Sequence, residues 1–168
     1  MPALTRVTES DEATWAIGAA IGTLLPVGAV VLLHGDLGAG KTMLTQGIAS
    51  GLGITEPIQS PTFTLVSEHQ VSSPDDRSVR LYHLDLYRLD GEEDLASIGW
   101  ETYLAPDDGV SVIEWPERAG DWLPDEYLLI TLDHVGTDQR RLTIAAVPTY
   151  GAMARMLESL GEMMDSGR

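Results

Sequence analysis

The glycine-rich segment Gly35–Thr42 restricts the possible folds of this chain more than any other feature of its sequence. It follows a short run of apolar residues, Val30–Leu33, and precedes a helical pattern over Lys41–Ser50. Its spacing, a glycine followed after four residues by Gly-Lys-Thr, is that of a phosphate-binding loop between a buried strand and a helix. Glycines such as Gly38 and Gly40 let successive backbone N–H groups turn toward a phosphate chain. The segment therefore predicts an α/β fold that binds a nucleotide.

The last two residues of this segment carry side chains that suit a nucleotide bound together with magnesium. Lys41 places a positive charge near the outer phosphates, and the hydroxyl of Thr42 is suited to bind Mg²⁺. The alternative is a glycine-rich turn that contains Lys-Thr by coincidence and binds no ligand. The agreement between the motif and its strand-to-helix context favours the nucleotide site.

Hydrophobic periodicity predicts further helices and strands on both sides of the loop. A first helix follows the N-cap candidate Ser10 and ends at Pro26. Strands are predicted at residues 30–33, 62–68, 80–85 and 110–114, a polar hairpin turn at 72–76, a helical stretch at 92–104, an antiparallel hairpin at 126–132 and 141–147, and a last helix at 150–164. The apolar residues at successive positions of the first strand indicate a central strand that is covered on both faces.

Together these elements predict one domain over residues 1–168 with a P-loop NTPase fold. In this α/β fold a central, mostly parallel sheet has antiparallel edge strands and carries helices on both faces. Residues 150–168 form a C-terminal helical extension that is rich in methionine. Its apolar stripe either packs on the domain or offers a face to a partner, and packing is the simpler interpretation.

The composition of the chain excludes several other classes of protein. Ten lysines and arginines against 26 aspartates and glutamates give a formal net charge of −16, which disfavours direct binding to nucleic acid or anionic lipid. The absence of cysteine excludes disulfides, thiolate nucleophiles and cysteine-bound metals. No apolar run approaches the ~20 residues that a membrane helix requires. We therefore expect a cytoplasmic protein that does not associate with membranes.

Two acidic residues at predicted strand ends are candidates for catalysis. Glu114 follows Val110–Ile113, and Asp85 follows Leu81–Leu84. Nucleotide hydrolysis and phosphoryl transfer use a carboxylate at such a position, either beside the metal or to orient an attacking water. In a chain this acidic, an ordinary solvated turn is the alternative for each of them. Their combination with the phosphate-binding loop favours the catalytic interpretation.

Other features of the sequence narrow the class of nucleotide-binding protein. GTPases of the Ras type use an Asn-Lys-x-Asp element, and this sequence contains no asparagine. Small-molecule kinases usually close several arginines over the transferred group, whereas few arginines follow the loop here. A small-molecule kinase is therefore poorly supported, although this class stays open. No arginine finger is evident near the loop, so if the chain is a nucleotide hydrolase, we expect slow hydrolysis by the isolated protein and completion of the site by a partner.

Four motifs that occur in order make the chain similar to one known family. They are GDLGAGKT at Gly35–Thr42, SPTFTLV at Ser60–Val66, HLDLYRL at His83–Leu89 and IEWPE at Ile113–Glu117. With this series the chain resembles the TsaE (YjeE) family, the small bacterial ATPases of tRNA threonylcarbamoyladenosine synthesis. The resemblance extends from about Glu9 to about Val147.

The resemblance implies a role for several residues of these motifs. The phosphates are held by Gly38, Ala39, Gly40, Lys41 and Thr42. Thr42 and Glu114 bind Mg²⁺, and Thr62 is a switch-like hydroxyl near the γ-phosphate. Asp85 is a second acidic group near the metal, which positions the attacking water. Lys41, Asp85 and Glu114 are therefore the implied catalytic residues.

Several other residues are weaker candidates for contact with the nucleotide. Thr14, Glu117 and Arg140 are implied by the resemblance alone. Trp115 either has a functional role, as a wall of the nucleotide pocket or a contact with a partner, or packs in the core beside a strand end. His83 is interpreted as a packed residue or a structural hydrogen bonder rather than a general base.

The chain departs from the pattern of the family at Met43, which stands where a second threonine is common. The α-phosphate thereby loses a hydroxyl donor but keeps the backbone N–H of this residue. We expect somewhat weaker nucleotide binding and no loss of function.

The resemblance also implies a function in tRNA modification. Such a protein binds a heterodimer of the TsaB and TsaD proteins and hydrolyses ATP with Mg²⁺, while TsaD transfers the threonylcarbamoyl group. The target is the adenosine next to the anticodon in tRNAs that read ANN codons, and contact with tRNA is expected only through the complex. Two other classes stay open. One is a small-molecule phosphotransferase, and the other is a nucleotide-gated scaffold that orders residues 60–66 without requiring hydrolysis.

Overall fold

The computed structural model describes most of the 168-residue chain. The described residues are 3–36, 38–58, 65–70, 79–87, 89 and 92–166. The candidate switch residue Thr62 and the predicted hairpin turn at 72–76 lie outside these ranges.

Seven strands form one sheet in the part of the chain that the structure describes. In chain order they are β1 (Leu4–Thr8), β2 (Val30–His34), β3 (Val66–Gln70), β4 (Arg80–Asp85), β5 (Gly109–Glu114), β6 (Tyr127–His134) and β7 (Arg140–Val147). Across the sheet their order is β1-β7-β6-β2-β5-β4-β3, which places β2 at the centre.

The pairing of the strands changes from the centre of the sheet to its edges. Strand β2 pairs in parallel with β5 and β6, and β4 pairs in parallel with β5. The antiparallel pairs β6–β7 and β1–β7 complete one edge, and the antiparallel pair β3–β4 completes the other. This arrangement confirms the predicted sheet with a parallel centre and antiparallel edges. The carboxyl ends of β2, β4 and β5 meet at one edge of this centre, which is where ligands bind in open α/β sheets.

Helices cover both faces of the sheet, as the sequence predicts. In the described ranges they are α1 (Asp11–Leu24), α2 (Lys41–Leu52), α3 (Glu92–Ser97), α4 (Glu101–Leu104), α5 (Ala152–Ser166) and the 3₁₀ helix Pro116–Trp122. Side chains of α1, α2 and α5 form a hydrophobic cluster with one face of the sheet, and side chains of α3 and the 3₁₀ helix form a second cluster with the other. The predicted helical stretch 92–104 is two short helices, because Gly99 interrupts it with a φ of +71°.

The apolar run of β2 is explained by these two clusters. Val31 and Leu33 belong to the cluster under α1, α2 and α5, whereas Val30 and Leu32 belong to the cluster on the opposite face. All four are almost completely inaccessible to solvent. A strand that is buried on both faces has no position for a polar side chain, and so the prediction of a central strand is confirmed.

Helices α1 and α2 touch each other backbone to backbone through glycines. A Cβ atom at Gly47 of α2 would lie 2.1 Å from the carbonyl oxygen of Trp15, and a Cβ atom at Gly22 of α1 would lie 2.2 Å from a carbonyl oxygen of α2. The other two glycines in this close contact are Gly18 and Gly51. Because no side chain fits between the two helices, α1 is fixed directly beside the helix that follows the phosphate-binding loop.

The terminal elements pack on the sheet and on each other. Strand β1 has no counterpart among the predicted elements, and β3 begins at Val66 within the described residues, later than the strand predicted from residue 62. Helix α5 buries Met153, Met156 and Leu157 in the cluster that it shares with α1 and β7. The packing interpretation of the last helix is therefore confirmed.

Candidate nucleotide-binding and catalytic site

The loop between β2 and α2 has the backbone geometry that a phosphate-binding loop requires. Gly38 and Gly40 have φ angles of +80° and +102°, in the left-handed region that favours glycine. Gly40 is also the N-cap residue of α2. The N-terminus of α2 therefore opens into the same space as the loop, and this arrangement favours a bound phosphate.

Two side chains from a distant part of the chain hold this loop in place. His134 Nε2, at the end of β6, lies 2.9 Å from the carbonyl oxygen of Gly38. Arg140 Nη2, at the start of β7, lies 3.4 Å from the same oxygen. A carbonyl oxygen only accepts, so both side chains donate to it. Because His134 and Arg140 are paired residues of the β6–β7 ladder, this hairpin anchors the loop.

Arg140, which the resemblance implied as a contact of the nucleotide, brings a positive charge to the loop. Strand β7 carries it to the mouth of the cleft, and its contact with a nucleotide stays a prediction. Its Nη1 donates to the carbonyl oxygen of Gln139 at 3.0 Å. Its Nε is buried and has no hydrogen-bond partner among the described residues. The guanidinium thus keeps one buried donor for a ligand.

The side chain of Lys41 is buried and lies between an aromatic ring and a carboxylate. It is 5% exposed, and its Nζ is 3.9 Å from the centroid of the Trp115 ring and 4.0 Å from Glu114 Oε1. Nζ has no hydrogen-bond partner within the described ranges. Burial lowers the pKa of Lys41, while the nearby carboxylates of Glu114 and Asp85 oppose this shift. A buried ammonium group without acceptors favours the binding of an anion beside it.

Two carboxylates face Lys41 from the ends of neighbouring strands. Glu114 ends β5 and Asp85 ends β4, and the two are paired residues of the parallel β4–β5 ladder. Glu114 is 4% exposed, whereas Asp85 is half-buried and accepts the backbone N–H of Tyr87 at 3.0 Å. Burial raises the pKa of Asp85, and the charge of Glu114 adds to this effect. Two adjacent carboxylates beside a phosphate site are the type of oxygen ligand that Mg²⁺ prefers.

His83 connects to the same carboxylate pair from inside the sheet. Its ring is completely buried on β4, and its Nε2 lies 2.5 Å from Glu114 Oε2. The sequence interpretation of His83 as a packed residue that makes a structural hydrogen bond agrees with this placement. Because Oε2 of Glu114 contacts His83, Oε1 is the oxygen that lies on the side of Lys41.

Trp115 takes part in both the site and the core. It follows Glu114 directly and has a φ of +57°, the left-handed region that residues other than glycine rarely adopt. Its ring contacts that of Tyr87 with 5.0 Å between centroids and packs against the hydrophobic cluster of α3. The same ring lies beneath the Lys41 ammonium group. Trp115 therefore packs beside the strand end and also lines the cleft, and its contact with a nucleotide stays a prediction.

These groups surround an open cleft of about 460 Å³. Of the candidate residues, those that line it are Gly38, Gly40, Lys41, Thr42, Met43, Asp85, Glu114, Trp115 and Arg140. The positive groups lie on the side of the loop and the carboxylates lie at the strand ends. Phosphates would meet Lys41 and Arg140, while a divalent cation would meet Glu114 and the first turn of α2, which carries Thr42. The chemistry of the donor set therefore fits a nucleoside polyphosphate bound with Mg²⁺.

Three candidate residues lie near the cleft without lining it. Ala39 is buried beneath the loop. Thr14 is also buried, and its Oγ1 lies 2.7 Å from Thr8 Oγ1, although its methyl group faces Gly40. Glu117 lies 2.5 Å from His34 Nδ1 at the end of β2. The sequence interpretation assigned these residues to the region of the cleft. In the structure, Ala39 is buried and the side chains of Thr14 and Glu117 contact other side chains of the protein.

The sequence analysis did not identify every residue that forms or supports the cleft. Asp11, in the first turn of α1, and Gln46 both line it, and His134 anchors its loop. Gln46 lies one helical turn after Thr42, so its spacing in α2 carried a usable signal. No local pattern distinguishes Asp11 or His134, because both reach the cleft through the packing of distant elements.

Comparison with known proteins shows which family the chain belongs to. The family model described as threonylcarbamoyl adenosine biosynthesis protein TsaE matches residues 8–142 of the chain. The chain belongs to the TsaE family. The matched range contains every described residue that lines the cleft and ends before α5. The resemblance found in the sequence motifs is thereby confirmed.

Individual TsaE proteins match over most of their length. A protein of Nostoc sp. named tRNA threonylcarbamoyladenosine biosynthesis protein TsaE is 44% identical over 147 residues, which are 83% of this chain and 86% of the relative. The protein of the same name from Bacillus subtilis is 39% identical over 140 residues, with 83% and 84% covered.

A solved structure supports the fold of this TsaE family member. The crystal structure of Bacillus subtilis YdiB has a TM-score of 0.75 and 34% sequence identity to the chain, and it covers 96% of this chain and 95% of its own. The expected fold class is confirmed by this likeness. No helix in the described ranges has both the length and the apolar composition of a transmembrane segment.

Proposed function

We propose that this TsaE family protein is a Mg²⁺-dependent ATP hydrolase that supports formation of N6-threonylcarbamoyladenosine in tRNA. The observation that carries the proposal is the buried ammonium group of Lys41, which has no hydrogen-bond acceptor among the described residues and lies 4.0 Å from Glu114 at the mouth of a glycine-rich loop. A pocket of this kind suits a phosphate chain with its metal ion. The names of the relatives supply the pathway.

Each part of the cleft has a role in this proposal. The backbone of Gly38–Lys41 and the ammonium group of Lys41 bind the phosphates, and Arg140 Nε adds a buried donor. Thr42 and Glu114 would hold Mg²⁺, which would neutralise negative charge on the phosphates. Trp115 supports Lys41 from below, and the neutral ring excludes water from the ammonium group.

Asp85 is the residue that we assign to the attacking water. Its carboxylate is half-buried at the strand end beside Glu114, and one of its oxygens is already fixed by the N–H of Tyr87. We assign the other oxygen to accept a hydrogen bond from a water that attacks the γ-phosphorus. The water oxygen bonds to that phosphorus as the bond from the phosphorus to the β-phosphate oxygen breaks, and ADP, inorganic phosphate and one proton of the attacking water are released. Positioning and electrostatics supply most of the catalysis in reactions of this class.

The charge of the chain bears on its partners. A formal net charge of −16 favours a partner with a basic surface and disfavours direct contact with tRNA. We assign the TsaB–TsaD heterodimer as this partner in the cytoplasm, with tRNA contacted only through the complex. If the acidic surface competes with tRNA phosphates for a basic site, added tRNA weakens binding of this protein to the heterodimer in a pull-down or titration. Simultaneous binding without competition contradicts this part of the proposal.

The requirement for hydrolysis is tested by modification of tRNA in a reconstituted system. We expect Glu114→Ala to bind the TsaB–TsaD heterodimer and fail to support repeated formation of threonylcarbamoyladenosine. Glu158→Ala is the control, because it removes an exposed carboxylate of α5. Full modification with Glu114→Ala would instead favour a nucleotide-gated scaffold. ADP production that depends on a small metabolite, and not on the heterodimer, would favour a phosphotransferase.

A further inference from the structure

The pair formed by His83 and Glu114 is a deeply buried polar contact beside the cleft. The ring of His83 is 0% exposed, and Glu114 is 4% exposed. His83 Nε2 and Glu114 Oε2 are 2.5 Å apart. His83 lies two residues before Asp85 on β4, so both side chains point to the face of the sheet that carries α2. The imidazole therefore reaches Glu114 from beneath, on the side away from the cleft.

The surroundings of the imidazole determine where its proton lies. His83 Nδ1 is buried and has no hydrogen-bond partner among the described residues. A neutral imidazole carries one N–H and one bare nitrogen, and a buried N–H without an acceptor is destabilising. A carboxylate oxygen accepts and does not donate. The arrangement that satisfies both conditions has the proton on Nε2, donated to Glu114 Oε2, and a bare Nδ1 in the core.

This hydrogen bond fixes the rotation of the Glu114 carboxylate. With Oε2 occupied by His83, Oε1 is the oxygen that faces Lys41 at 4.0 Å and the cleft beyond it. We infer that His83 is a positioning residue, which holds one oxygen of Glu114 toward the metal that accompanies the nucleotide. The inference rests on the proposed function, because it assigns the partner that orients the metal ligand of the same site. Hydrogen bonds of this kind to metal ligands commonly change metal affinity when they are removed.

The test uses two polar substitutions that differ in reach. In His83→Gln the terminal amide N–H lies close to the position of Nε2, so it can still donate to Glu114. In His83→Asn the side chain is one carbon shorter and cannot reach the carboxylate. The two variants are similar in polarity, and both leave the phosphate-binding loop unchanged.

The measurement is the affinity for a non-hydrolysable ATP analogue by isothermal titration calorimetry, with and without Mg²⁺. In His83→Asn we expect the gain in affinity on adding Mg²⁺ to fall by about tenfold or more, with the metal-free affinity nearly unchanged. In His83→Gln we expect most of the gain to be retained. A merely structural role for His83 would lower thermal stability in both variants without changing the Mg²⁺ dependence. That result, or an unchanged gain in His83→Asn, overturns the inference.

A second readout keeps the inference testable if His83→Asn fails to fold. Nitrogen-15 NMR of the wild-type histidines reports the tautomer directly, and we expect His83 to carry its proton on Nε2. A proton on Nδ1 overturns the inference. These outcomes are distinct from failure of the proposed function, in which the wild-type protein itself would bind no ATP analogue.

Discussion

The ammonium group of Lys41 lies 3.9 Å from the centroid of the Trp115 ring. Trp115 reaches this position through a left-handed backbone conformation, with a φ of +57°, immediately after Glu114. A cation above a ring is stabilised more strongly when the groups are removed from water, and here the ammonium group is buried and the ring is partly buried. Lys41 is therefore held by groups of the protein itself, and a phosphate chain that enters the cleft changes the charge around the ring.

This relationship predicts a change in tryptophan fluorescence when nucleotide binds. We expect Mg²⁺ and ATP to alter the emission of the wild-type protein, because phosphate charge enters the cleft beside Trp115. Trp115→Phe should bind nucleotide and lose most of the change, whereas Trp122→Phe, at a position that does not line the cleft, should keep it. An equal change in both variants would show that Trp115 does not sense the ligand.

The burial of Lys41 predicts an unusual pH dependence of its chemical reactivity. Lys41 is the sole lysine of the sequence, so an amine reagent reports on it and on the N-terminus alone. Burial lowers the pKa of Lys41 from 10.5, so the neutral, reactive amine becomes populated at a lower pH than in an exposed lysine. Mass spectrometry of acetylated protein should show half-maximal labelling at that lower pH, and Mg²⁺ with ATP should suppress labelling. A profile equal to that of a free lysine peptide would contradict the burial of this side chain.

The backbone contact between α1 and α2 predicts a large effect of a small substitution. In Gly47→Ala the added Cβ meets the carbonyl oxygen of Trp15 at 2.1 Å, so the two helices must separate. We expect a loss of about 1–3 kcal/mol or more in the free energy of unfolding. Gly161→Ala on α5 is the matched control, because its Cβ meets nothing closer than 3.8 Å and should gain up to about 1 kcal/mol from helix propensity. Urea denaturation measures both, and equal effects would argue against the close approach.

Met43 lines the cleft one residue after Thr42. Its replacement tests whether the absence of a hydroxyl donor at this position weakens nucleotide binding. Met43→Thr adds a hydroxyl where the family commonly has one. We expect nucleotide affinity to rise by about twofold to tenfold, the equivalent of one ordinary hydrogen bond of about 0.5–1.5 kcal/mol. Met43→Val is the control, because it has the shape of threonine without the hydroxyl. Unchanged affinity in Met43→Thr would show that the hydroxyl is irrelevant here.

Local patterns were sufficient to predict the elements that build the site. The apolar run of β2 and the Gly-Lys-Thr motif predicted the strand, the loop and the start of α2, because each depends on residues adjacent in sequence. Helix α1 was predicted from its Ser10 cap, whose side chain accepts the N–H of Ala13. The carboxylates of Asp85 and Glu114 were found because each ends a predicted strand, although no local pattern reveals that the two strands are neighbours.

Contacts between distant elements could not be predicted in this way. Arg140 and His134 reach Gly38 only because β6 and β7 pair beside β2, about a hundred residues after the loop. The short strand β1 is defined by its pairing with β7 and by little in its own residues. Likewise, nothing in the sequence around His83 distinguishes it from an ordinary strand residue. Its contact with Glu114 depends on the pairing of β4 with β5. The residues that support the cleft from behind its lining therefore depend on the order of the strands in the sheet.

The central claim is that the cleft hydrolyses ATP in service of a partner complex. The most direct measurement is phosphate release from ATP by the purified protein, alone and with the TsaB and TsaD proteins of the same organism. Lys41→Ala is the blank, and Arg155→Ala, which removes an exposed positive charge from α5, is the control. We expect slow release by the protein alone and strong stimulation by the pair, abolished in Lys41→Ala and kept in Arg155→Ala. No stimulation by the pair, with turnover only when a small metabolite is added, would contradict the account.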